Sequence, residues 1–448
     1  MDAVCSDLLA EVRGFRQRYP EVRYVDLISL DIPGHFYGKR YPIDMLEKVA
    51  AGSVLKLPQN CVLLGVQGGL FPIGDYCFND GDPDAVRRLV PGTLKPVTWE
   101  GKPLGQMLIT SDGTEQPIVF EPREVLAQVL ARLARKGIHP VVAFELEFYL
   151  FDKQLRDGLP QFPRDHLSDD ADDQPNMHIE RLSRFAPVLD EMVDAAQAQG
   201  IDATVITAEL GPGQFEINFG HLDDGLRAAD WAALFCRSTR GVALKHGYRA
   251  SFMAKPYLQH PGSGMHVHVS LYDGAGNNLL AVNQQQPLRH AIAGCLELLP
   301  ACMPIFAPNH NGFRRLGGTT NIATQASWGY EDRDACLRIP ESDSKNLRVE
   351  YRLAGADANP YLLLAAILVG LEHGLEAGRE PILPLNEDRN SGIAFPLDML
   401  EAVRAMQHQP QLREGLGAEF VDVYCENKRQ DHLAFMQDIS AREYRWFM

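Results

Sequence analysis

Two glutamates lie two residues apart inside an apolar stretch of the chain, FELEFYL, at residues 144–150. The apolar content predicts a buried β-strand, in which successive side chains point to opposite faces, so Glu145 and Glu147 share one face. Burial of an ionised carboxylate is costly unless the group is paired or bound to a cation. These two acids therefore need a positively charged partner from elsewhere in the chain or from solution.

Three further predicted strands, GQFEINFG, GMHVHVSL and NLRVEYRLAG, also carry apolar side chains on one face and polar ones on the other. The polar members are Gln214, Glu216 and Asn218, then His266, His268 and Ser270, then Arg348, Glu350 and Arg352. A single strand of this kind is typical of an antiparallel sheet with its polar face in water. A solvated face usually mixes lysine, threonine, serine and glutamine, whereas these faces carry mainly glutamate, histidine and arginine. We therefore favour a shared interior site.

The acids and one histidine of these segments form a candidate metal site. Its candidate ligands are Glu145, Glu147, Glu209, Glu216, His266 and Glu350. Gathered in one cavity without cations, the carboxylates would repel one another. Ligation by many oxygens and one imidazole suits Mg²⁺ or Mn²⁺ better than zinc, and the number of acids indicates two or more ions.

A cluster of basic residues lies between residues 311 and 352. Its members are Arg314, Arg315, Arg333, Arg338, Arg348 and Arg352, with Lys345 nearby. Arginine binds carboxylate and phosphate through two parallel hydrogen bonds, so arginines beside two metal ions would stabilise a transferring phosphoryl group. Surface ion pairing is the alternative, and we favour it for Arg348. The chain has neither a GxxxxGK[ST] loop nor a strand-linked GxGxxG turn, so any nucleotide is held in another way.

The composition is that of a soluble globular protein, with 448 residues of which 45% are hydrophobic and 23% charged. A net charge of −16 and a pI near 5.3 argue against nucleic acid as a partner. The eight cysteines include no C-x-x-C pair, which indicates free thiols. The longest uninterrupted apolar run, residues 361–371, is too short to cross a membrane, and the N-terminus lacks the apolar core of a secretory signal. We expect a cytoplasmic protein without a membrane partner.

Turn and periodicity signals divide the chain into predicted elements. Residues up to about 112 form a small α+β unit, and the polar segment SDGTEQPIV, residues 111–119, marks a plausible domain boundary. Apolar residues at helical spacing predict helices at residues 6–18, 122–136, 185–199, 225–246, 286–303 and 359–377. The last fifty residues also have a helical pattern.

Taken in order, these segments resemble the glutamine synthetase family. The matching pieces are the E-x-E strand (Glu145, Glu147), the two acids around GPGQ (Glu209, Glu216), GSGMHVHVS, RRL with Arg315, RDACLRIP, and RVEYR followed by ANPYL. The resemblance covers about residues 26–371. It implies an α+β fold with a β-grasp domain at residues 1–112 and a catalytic domain at residues 113–448, in which helices flank a curved antiparallel sheet. It also implies a homo-oligomer, either a hexameric ring or a stacked dodecamer, with sites between adjacent subunits.

The resemblance also assigns metal ligands and substrate contacts. Glu147, Glu209 and Glu216 resemble the ligands of an ion on the glutamate and amine side. Glu145, His266 and Glu350 resemble the ligands of an ion that grips the phosphates of ATP. The other assigned groups are Arg315, Gly262 and His266 for glutamate, Arg333, Arg338 and Arg352 for the transferring phosphoryl group, and His268, Ser270, Lys345 and Arg338 for the nucleotide.

The amine side departs from the ammonia-using members of the family. These carry a flap glutamate that completes an ammonium site, and the matching position here is Asn321, which lacks the negative charge. Asp31, in DIPGHFYGKR, resembles the other acid of that site and could hold or deprotonate an amine. The segments TQASWGYEDR and PGSGMH are closer to the branch of γ-glutamylpolyamine synthetases and glutamate–amine ligases.

The implied activity is ATP-dependent ligation of the glutamate γ-carboxylate to a primary amine or polyamine larger than ammonia, through a γ-glutamyl phosphate. Such an enzyme would serve amine catabolism and nitrogen metabolism. An ammonia-using glutamine synthetase, in which Asp31 alone completes the amine site, is the first alternative. A non-catalytic ring protein is the second alternative, although a scaffold would have no reason to keep six mutually repelling ligands.

Overall fold

The structure is a computed structural model that describes residues 3–77, 80–112, 118–167, 177–317 and 323–448. Its strands are β1 (Tyr24–Leu30), β2 (Phe36–Pro42), β3 (Leu55–Pro58), β4 (Asp84–Leu89), β5 (Lys95–Val97), β6 (Leu104–Ser111), β7 (His139–Asp152), β8 (Ala203–Ala208), β9 (Gln214–Phe219), β10 (Tyr248–Ser251), β11 (Met265–Tyr272), β12 (Trp328–Tyr330), β13 (Leu337–Ile339) and β14 (Val349–Tyr351). Its α-helices are α1 (Ala3–Arg18), α2 (Ile43–Ala50), α3 (Pro122–Arg135), α4 (Ile179–Ala198), α5 (Gly225–Lys245), α6 (Gln286–Phe306), α7 (His310–Arg315), α8 (Pro360–Ala377), α9 (Met399–Gln407), α10 (Pro410–Leu416), α11 (Ala418–Met436) and α12 (Ala441–Phe447).

The first sheet gathers the strands nearest the N-terminus in the order β2-β1-β6-β4-β3, with β5 paired to β6. Strands β1 and β6 run parallel, and the other neighbours run antiparallel. Helix α1 buries Val12 in a small core with Leu27 and Met107 of this sheet. The loop after β1 is fixed to the larger part of the fold, because Asn359 Nδ2 donates to the backbone oxygen of Asp31 at 3.0 Å.

The second sheet has the order β12-β13-β14-β11-β7-β9-β8, and β10 pairs with the end of β7. Strands β12 and β13 run parallel, and the other neighbours run antiparallel. Helices α3 and α5 contact β7, α4 contacts β8, and α8 packs against α3, α5 and α6. The predicted fold class, α+β with a curved and largely antiparallel sheet flanked by helices, is confirmed.

Strand β7 is the long central strand, and its two faces have opposite character. Leu146 and Phe148 are completely buried, and the ring of Phe148 lies 6.3 Å from that of Phe235 on α5. This apolar face packs against the helices. Because side chains alternate along a strand, Glu145 and Glu147 lie on the face turned away from the helical layer.

The register of the neighbouring strands places other predicted site residues on that same face. His266 of β11 lies opposite Glu145, and Glu216 of β9 lies opposite Glu147. Directly opposed residues of antiparallel strands project from the same face of the sheet. Strand β14 continues the pattern on the far side of β11, so four strands contribute polar side chains to one site.

The predicted helices are confirmed with small shifts of their ends. Helix α4 begins at Ile179, before the predicted residue 185, and α6 continues to Phe306, past residue 303. The helical pattern near the C-terminus corresponds to α9 to α12. Helices α6 and α8 approach closely at two glycines, since a Cβ on Gly294 would lie 2.3 Å from the backbone nitrogen of Gly374.

Two helical segments, Asn283–Phe306 and Pro360–Ala377, are long and apolar enough by composition to cross a membrane. The fold buries 72% of the most apolar 18-residue stretch of the first segment and 78% of that of the second, as is usual for helices in a protein core. The division into two domains at residue 112 stays a prediction, because residues 113–117 lie outside the described residues.

Candidate active site

The polar faces of β7, β9, β11 and β14 line a cavity of about 230 Å³. Its lining includes all six predicted metal ligands, together with Gly262, Arg315, Arg333, Arg338 and Arg352. The fold thus brings together side chains from positions as far apart in the chain as 145 and 352. Sequence alternation indicated which strand faces are polar, and strand pairing joins those faces into one site.

His266 lies at the centre of the carboxylates. Its Nδ1 is 3.3 Å from Glu145 Oε2 and its Nε2 is 3.7 Å from Glu147 Oε1. Oxygens of Glu216 and Glu350 both lie 4.0 Å from the same Nδ1. These separations exceed a direct hydrogen bond for all but Glu145, and they leave room for cations between the side chains.

Two groups of side chains have donor atoms close enough to bind a common cation, with all donor atoms of a group within 4.8 Å of one another. The first group is Glu145, Glu216 and His266, and the second is Glu145, His268 and Glu350. Carboxylate oxygens with one imidazole fit Mg²⁺ or Mn²⁺, so the chemistry of the donors fits the predicted kind of ion. The two ligand sets implied by the family differ in membership, since one of them contains Glu147 and Glu209, and they stay predictions.

The acids near β9 carry charge that the surrounding protein does not balance. Burial, together with the charges of Glu147 and Glu145, raises the pKa of Glu216 to about 9. Burial and the charge of Glu147 likewise raise the pKa of Glu209 to about 7. A carboxylate that retains its proton near neutral pH releases it when a divalent cation binds. We refer to this part of the cavity as the acidic side.

The β14 side of the cavity is balanced. Although burial opposes ionisation, the charges of His266 and Arg352 hold the pKa of Glu350 at about 2. Arg338 Nη1 lies 2.7 Å from Glu350 Oε2, and Arg352 Nη1 donates to the other oxygen of the same carboxylate. Two guanidinium groups are therefore oriented by one buried acid. Both guanidinium groups line the cavity.

Arg315, the residue predicted to bind glutamate, is buried in the cavity wall. Its Nη1 donates to the Leu353 oxygen at 2.6 Å, while its buried Nε has no partner among the described residues. Gly262 lies directly against it, because a Cβ at that position would come within 2.8 Å of Arg315 Cγ and 2.3 Å of the Ala254 oxygen. The close approach requires glycine at 262, and the unpaired N–H group of the arginine fits a carboxylate ligand.

The other residues predicted to contact the nucleotide lie along β11 and near β14. His268 Nε2 lies 2.9 Å from Glu145 Oε1, and Ser270 Oγ donates to the Leu347 oxygen at 2.9 Å. Lys345 is exposed. Among the described residues, these three flank the cavity and do not line it.

The remaining residues singled out in the sequence are Arg348, Asp31 and Asn321. The expectation of surface ion pairing for Arg348 is wrong: the side chain is half-buried, and its Nε donates to His268 Nδ1 at 3.1 Å because β14 pairs with β11. Asp31 is 1% exposed and is not among the described residues that line the cavity of its own chain. Asn321 lies outside the described residues.

Sequence reasoning missed two side chains that position the acids. Gln214 Nε2 donates to Glu147 Oε2 at 3.1 Å, and Asn218 Nδ2 donates to Glu145 Oε1 at 2.9 Å. Alternation placed both on the polar face of β9, two residues on either side of Glu216, but their contacts with Glu147 and Glu145 were not predicted. Each fixes one oxygen of its carboxylate, which leaves the other oxygen turned toward His266.

Comparison with known proteins identifies the family. The family model for the glutamine synthetase catalytic domain matches residues 119–447. The chain belongs to the glutamine synthetase family. The predicted family is therefore confirmed.

Relatives within the family cover almost the whole chain. The γ-glutamylputrescine synthetase PuuA of Escherichia coli K12 is 39% identical over 450 residues, which is 98% of this chain and 94% of that protein. A glutamate–isopropylamine ligase from a Pseudomonas species is 29% identical over 444 residues, with coverage of 94% and 93%. The solved GmaS/ADP complex in its conformation 1 has a TM-score of 0.83 at 25% identity, and the match covers 98% of this chain and 99% of that one.

Proposed function

We propose that this chain is an ATP-dependent ligase that joins the γ-carboxylate of glutamate to a primary amine larger than ammonia. One observation carries the proposal: a single cavity is lined both by acids whose charge the neighbouring protein does not balance and by Arg338 and Arg352, which a buried glutamate holds in place. Two relatives match this chain over nearly its full length, and one is named for putrescine and the other for isopropylamine. These names support an alkylamine as the acceptor.

Mg²⁺ or Mn²⁺ is the proposed cofactor, with at least two ions per site. Glu147, Glu209 and Glu216 would hold one ion, and Glu145, His266 and Glu350 would hold the other. Bound ions supply positive charge that offsets the phosphate and carboxylate groups of the substrates.

In the first step, an oxygen of the glutamate γ-carboxylate attacks the terminal phosphorus of ATP, the bond to the bridging oxygen breaks, and ADP leaves. Arg333, Arg338 and Arg352 stabilise the charge on the transferring phosphoryl group. Arg315 would hold a carboxylate of glutamate through its unpaired Nε–H group. The orientation of Arg338 and Arg352 by a buried acid means that little reorganisation is needed during the transfer.

In the second step, the amine nitrogen attacks the carbonyl carbon of the acyl phosphate, the bond to phosphate breaks, and a proton leaves the nitrogen. The products are the γ-glutamyl amide, ADP and phosphate. Asp31 is the proposed group that holds the amine or accepts its proton. Because Asp31 is not among the described residues that line the cavity of its own chain, we assign this role to Asp31 of the partner subunit, in the ring with shared sites that the family resemblance implies.

We also propose that the chain forms a ring, either a hexamer or a stacked dodecamer. A complementation experiment tests whether adjacent subunits share each site. Asp31→Asn and Glu350→Gln should each be inactive alone. Mixed after dissociation and reassembly, they should regain part of the wild-type activity, because some interfaces then combine two intact halves. No recovery from the mixture would contradict sites shared between subunits.

We also propose a cytoplasmic enzyme of amine catabolism, in agreement with the acidic charge and the buried apolar helices. The direct test of function is phosphate release with ATP, Mg²⁺ and glutamate across ammonium, putrescine, spermidine, alkylamines and arylalkylamines, with product masses read in parallel. We expect an alkylamine to exceed ammonium in kcat/KM and to yield the γ-glutamyl amide. Turnover with ammonium alone would mean that the chain is a glutamine synthetase.

A further inference from the structure

We infer that an aromatic rim beside the cavity, formed by Phe162, Tyr257 and His260, binds the alkyl chain and distal ammonium group of a diamine-like acceptor. The rim would then determine which amines the enzyme uses. This inference rests on the proposed function and makes its acceptor class specific.

The three rings of the aromatic rim contact one another as a triangle. The ring centroids of Phe162 and Tyr257 lie 5.1 Å apart, those of Phe162 and His260 5.4 Å, and those of Tyr257 and His260 5.6 Å. The His260 ring stands nearly perpendicular to the other two, at 82° and 86°. All three side chains are only half-buried, so the rim is not part of the closed core.

A rigid layer supports the aromatic rim. The rings of Tyr149 and Phe151, both buried on β7, lie 5.9 Å and 5.7 Å from Tyr257. Lys255 Nζ donates to the His260 oxygen at 2.7 Å and closes the loop that carries two of the rim residues. The rings are therefore held in place before any ligand arrives, which lowers the entropic cost of binding one.

The chain path connects the aromatic rim to the acidic side of the cavity. Pro261 and Gly262, which follow His260 directly, both line the cavity. On the other flank, Pro163 follows Phe162 and packs against the turn after Glu209, where a Cβ on residue 213 would lie 2.7 Å from the proline ring. The rim is thus joined to the cavity through Pro261 and Gly262 and through the turn that follows Glu209, on the acidic side. This is the side that the family resemblance assigns to glutamate and the amine.

The chemistry of the aromatic rim suits a long amine with a second positive charge. Aromatic faces attract ammonium groups, and their apolar surface also removes methylene groups from water. The hydroxyl of Tyr257 is buried and has no hydrogen-bond partner among the described residues, so it can accept a hydrogen bond from an N–H group.

The test compares, for each variant against the wild type, three nucleophiles that present different groups to the rim: 1,4-diaminobutane, butylamine and hydroxylamine. ATP and glutamate are kept saturating, and kcat and KM are measured for the wild type, Phe162→Leu and Tyr257→Phe. For Phe162→Leu we expect about a tenfold loss of kcat/KM with 1,4-diaminobutane, mainly in KM, a smaller loss with butylamine and none with hydroxylamine. Tyr257→Phe keeps the ring, and it should affect the diamine more than butylamine. Tyr19→Leu, which removes an aromatic contact with Phe15 far from the cavity, is the matched control.

An equal loss with all three nucleophiles would mean that the rim only supports the loop, and it would overturn the inference. Unchanged ratios in both variants would overturn it as well. A wild type that forms no amide with either alkylamine would instead contradict the proposed function itself. Product formation by the wild type therefore separates the two failures.

Discussion

The cavity and a charged cluster between α3, α5 and α8 both bury ionisable side chains, but only one of them balances their charge. In the helical cluster, Arg123 contacts Asp230 through two hydrogen bonds of 2.9 and 3.0 Å. Tyr361 Oη donates to the same carboxylate at 2.7 Å. One acid thus meets one guanidinium group and one hydroxyl, and the cluster needs no ligand.

The cavity gathers more acids than the neighbouring protein can neutralise. Arginines and histidines offset the charge on Glu350, whereas Glu209 and Glu216 hold their protons above the usual pKa range for glutamate. The difference shows that a paired buried charge secures the fold, whereas an unpaired group of like charges marks a binding site. Substitutions in the two regions should therefore have opposite consequences for stability and activity.

The largest expected effect on stability is that of Asp230→Ala. It leaves the guanidinium of Arg123 buried without its carboxylate, and breaking a buried pair in this way costs roughly 3–5 kcal/mol. Chemical denaturation should detect the loss of unfolding free energy. Asp422→Ala, which removes an exposed partner of Arg413, is the control and should change stability by less than about 1 kcal/mol. Equal effects of the two substitutions would contradict the proposed contrast.

Alanine at a cavity acid should have the reverse effect. Glu147→Ala and Glu350→Ala are each expected to reduce ATP-dependent turnover by about 10³-fold, or about 4 kcal/mol, because positive charge can no longer be held opposite the phosphoryl group. The fold and the oligomeric state of the wild type should persist, as measured by circular dichroism and sedimentation. Glu191→Ala, at an ion pair with Lys245 outside the cavity, should keep full turnover. Normal activity in either cavity variant would refute the metal assignment.

Without divalent cations, the stability of the protein should fall as the pH rises from about 5 to 9. The pKa of Glu216 is raised from 4.5 to about 9, so over this range the folded state retains a proton that the unfolded state has released. The unfolding free energy then decreases by at most about 1.4 kcal/mol per pH unit for each such proton. Denaturation in EDTA at several pH values measures the slope.

Glu216→Gln provides the control for this slope. Because glutamine does not titrate, the unfolding free energy of the variant should depend less steeply on pH, by the equivalent of about one proton. The variant should also be more stable than the wild type at high pH. Addition of Mg²⁺ should flatten the wild-type curve. A stability that rises with pH in EDTA would contradict the description of the acidic side.

The smallest expected effect concerns the amine end of the site. Asn321→Glu introduces the negative charge that the family resemblance implies at this position in ammonia-using members, and it should raise the use of ammonium relative to an alkylamine several-fold. The ratio of the two kcat/KM values measures this. Asn321→Gln, which adds the same length without charge, should leave the ratio unchanged. An unchanged ratio in Asn321→Glu would mean that the flap position was assigned to the wrong residue.

The sequence predicted which face of each strand is polar, but it did not predict which strands pair or in which register. Alternation placed Glu145 with Glu147 and Gln214 and Asn218 with Glu216, but it did not predict the hydrogen bonds that Gln214 and Asn218 donate to the acids. The opposition of His266 and Glu145 depends on a register between distant strands, which no local pattern specifies. The half-buried position of Arg348, wrongly expected at the surface, follows from the same pairing.

Other features depend on contacts that a single sequence does not encode locally. The aromatic rim joins Phe162 to two residues almost a hundred positions later, and none of the three belongs to a periodic pattern. The proposed role of Asp31 depends on a second subunit, whose contacts no local pattern specifies. Helix positions, in contrast, follow from apolar spacing along the chain, and their predicted ends differ by only a few residues for most helices.

Equilibrium titration of the metal-free protein with Mn²⁺ tests the central claim most directly, because the acids of the cavity are held to be a cation site. Wild type should bind at least two ions per chain and release protons as it does so at pH 7, and the binding should raise the thermal midpoint. Glu216→Gln should bind more weakly and release fewer protons. Wild-type protein that binds no Mn²⁺, or that binds it as tightly after the substitution, would contradict the account.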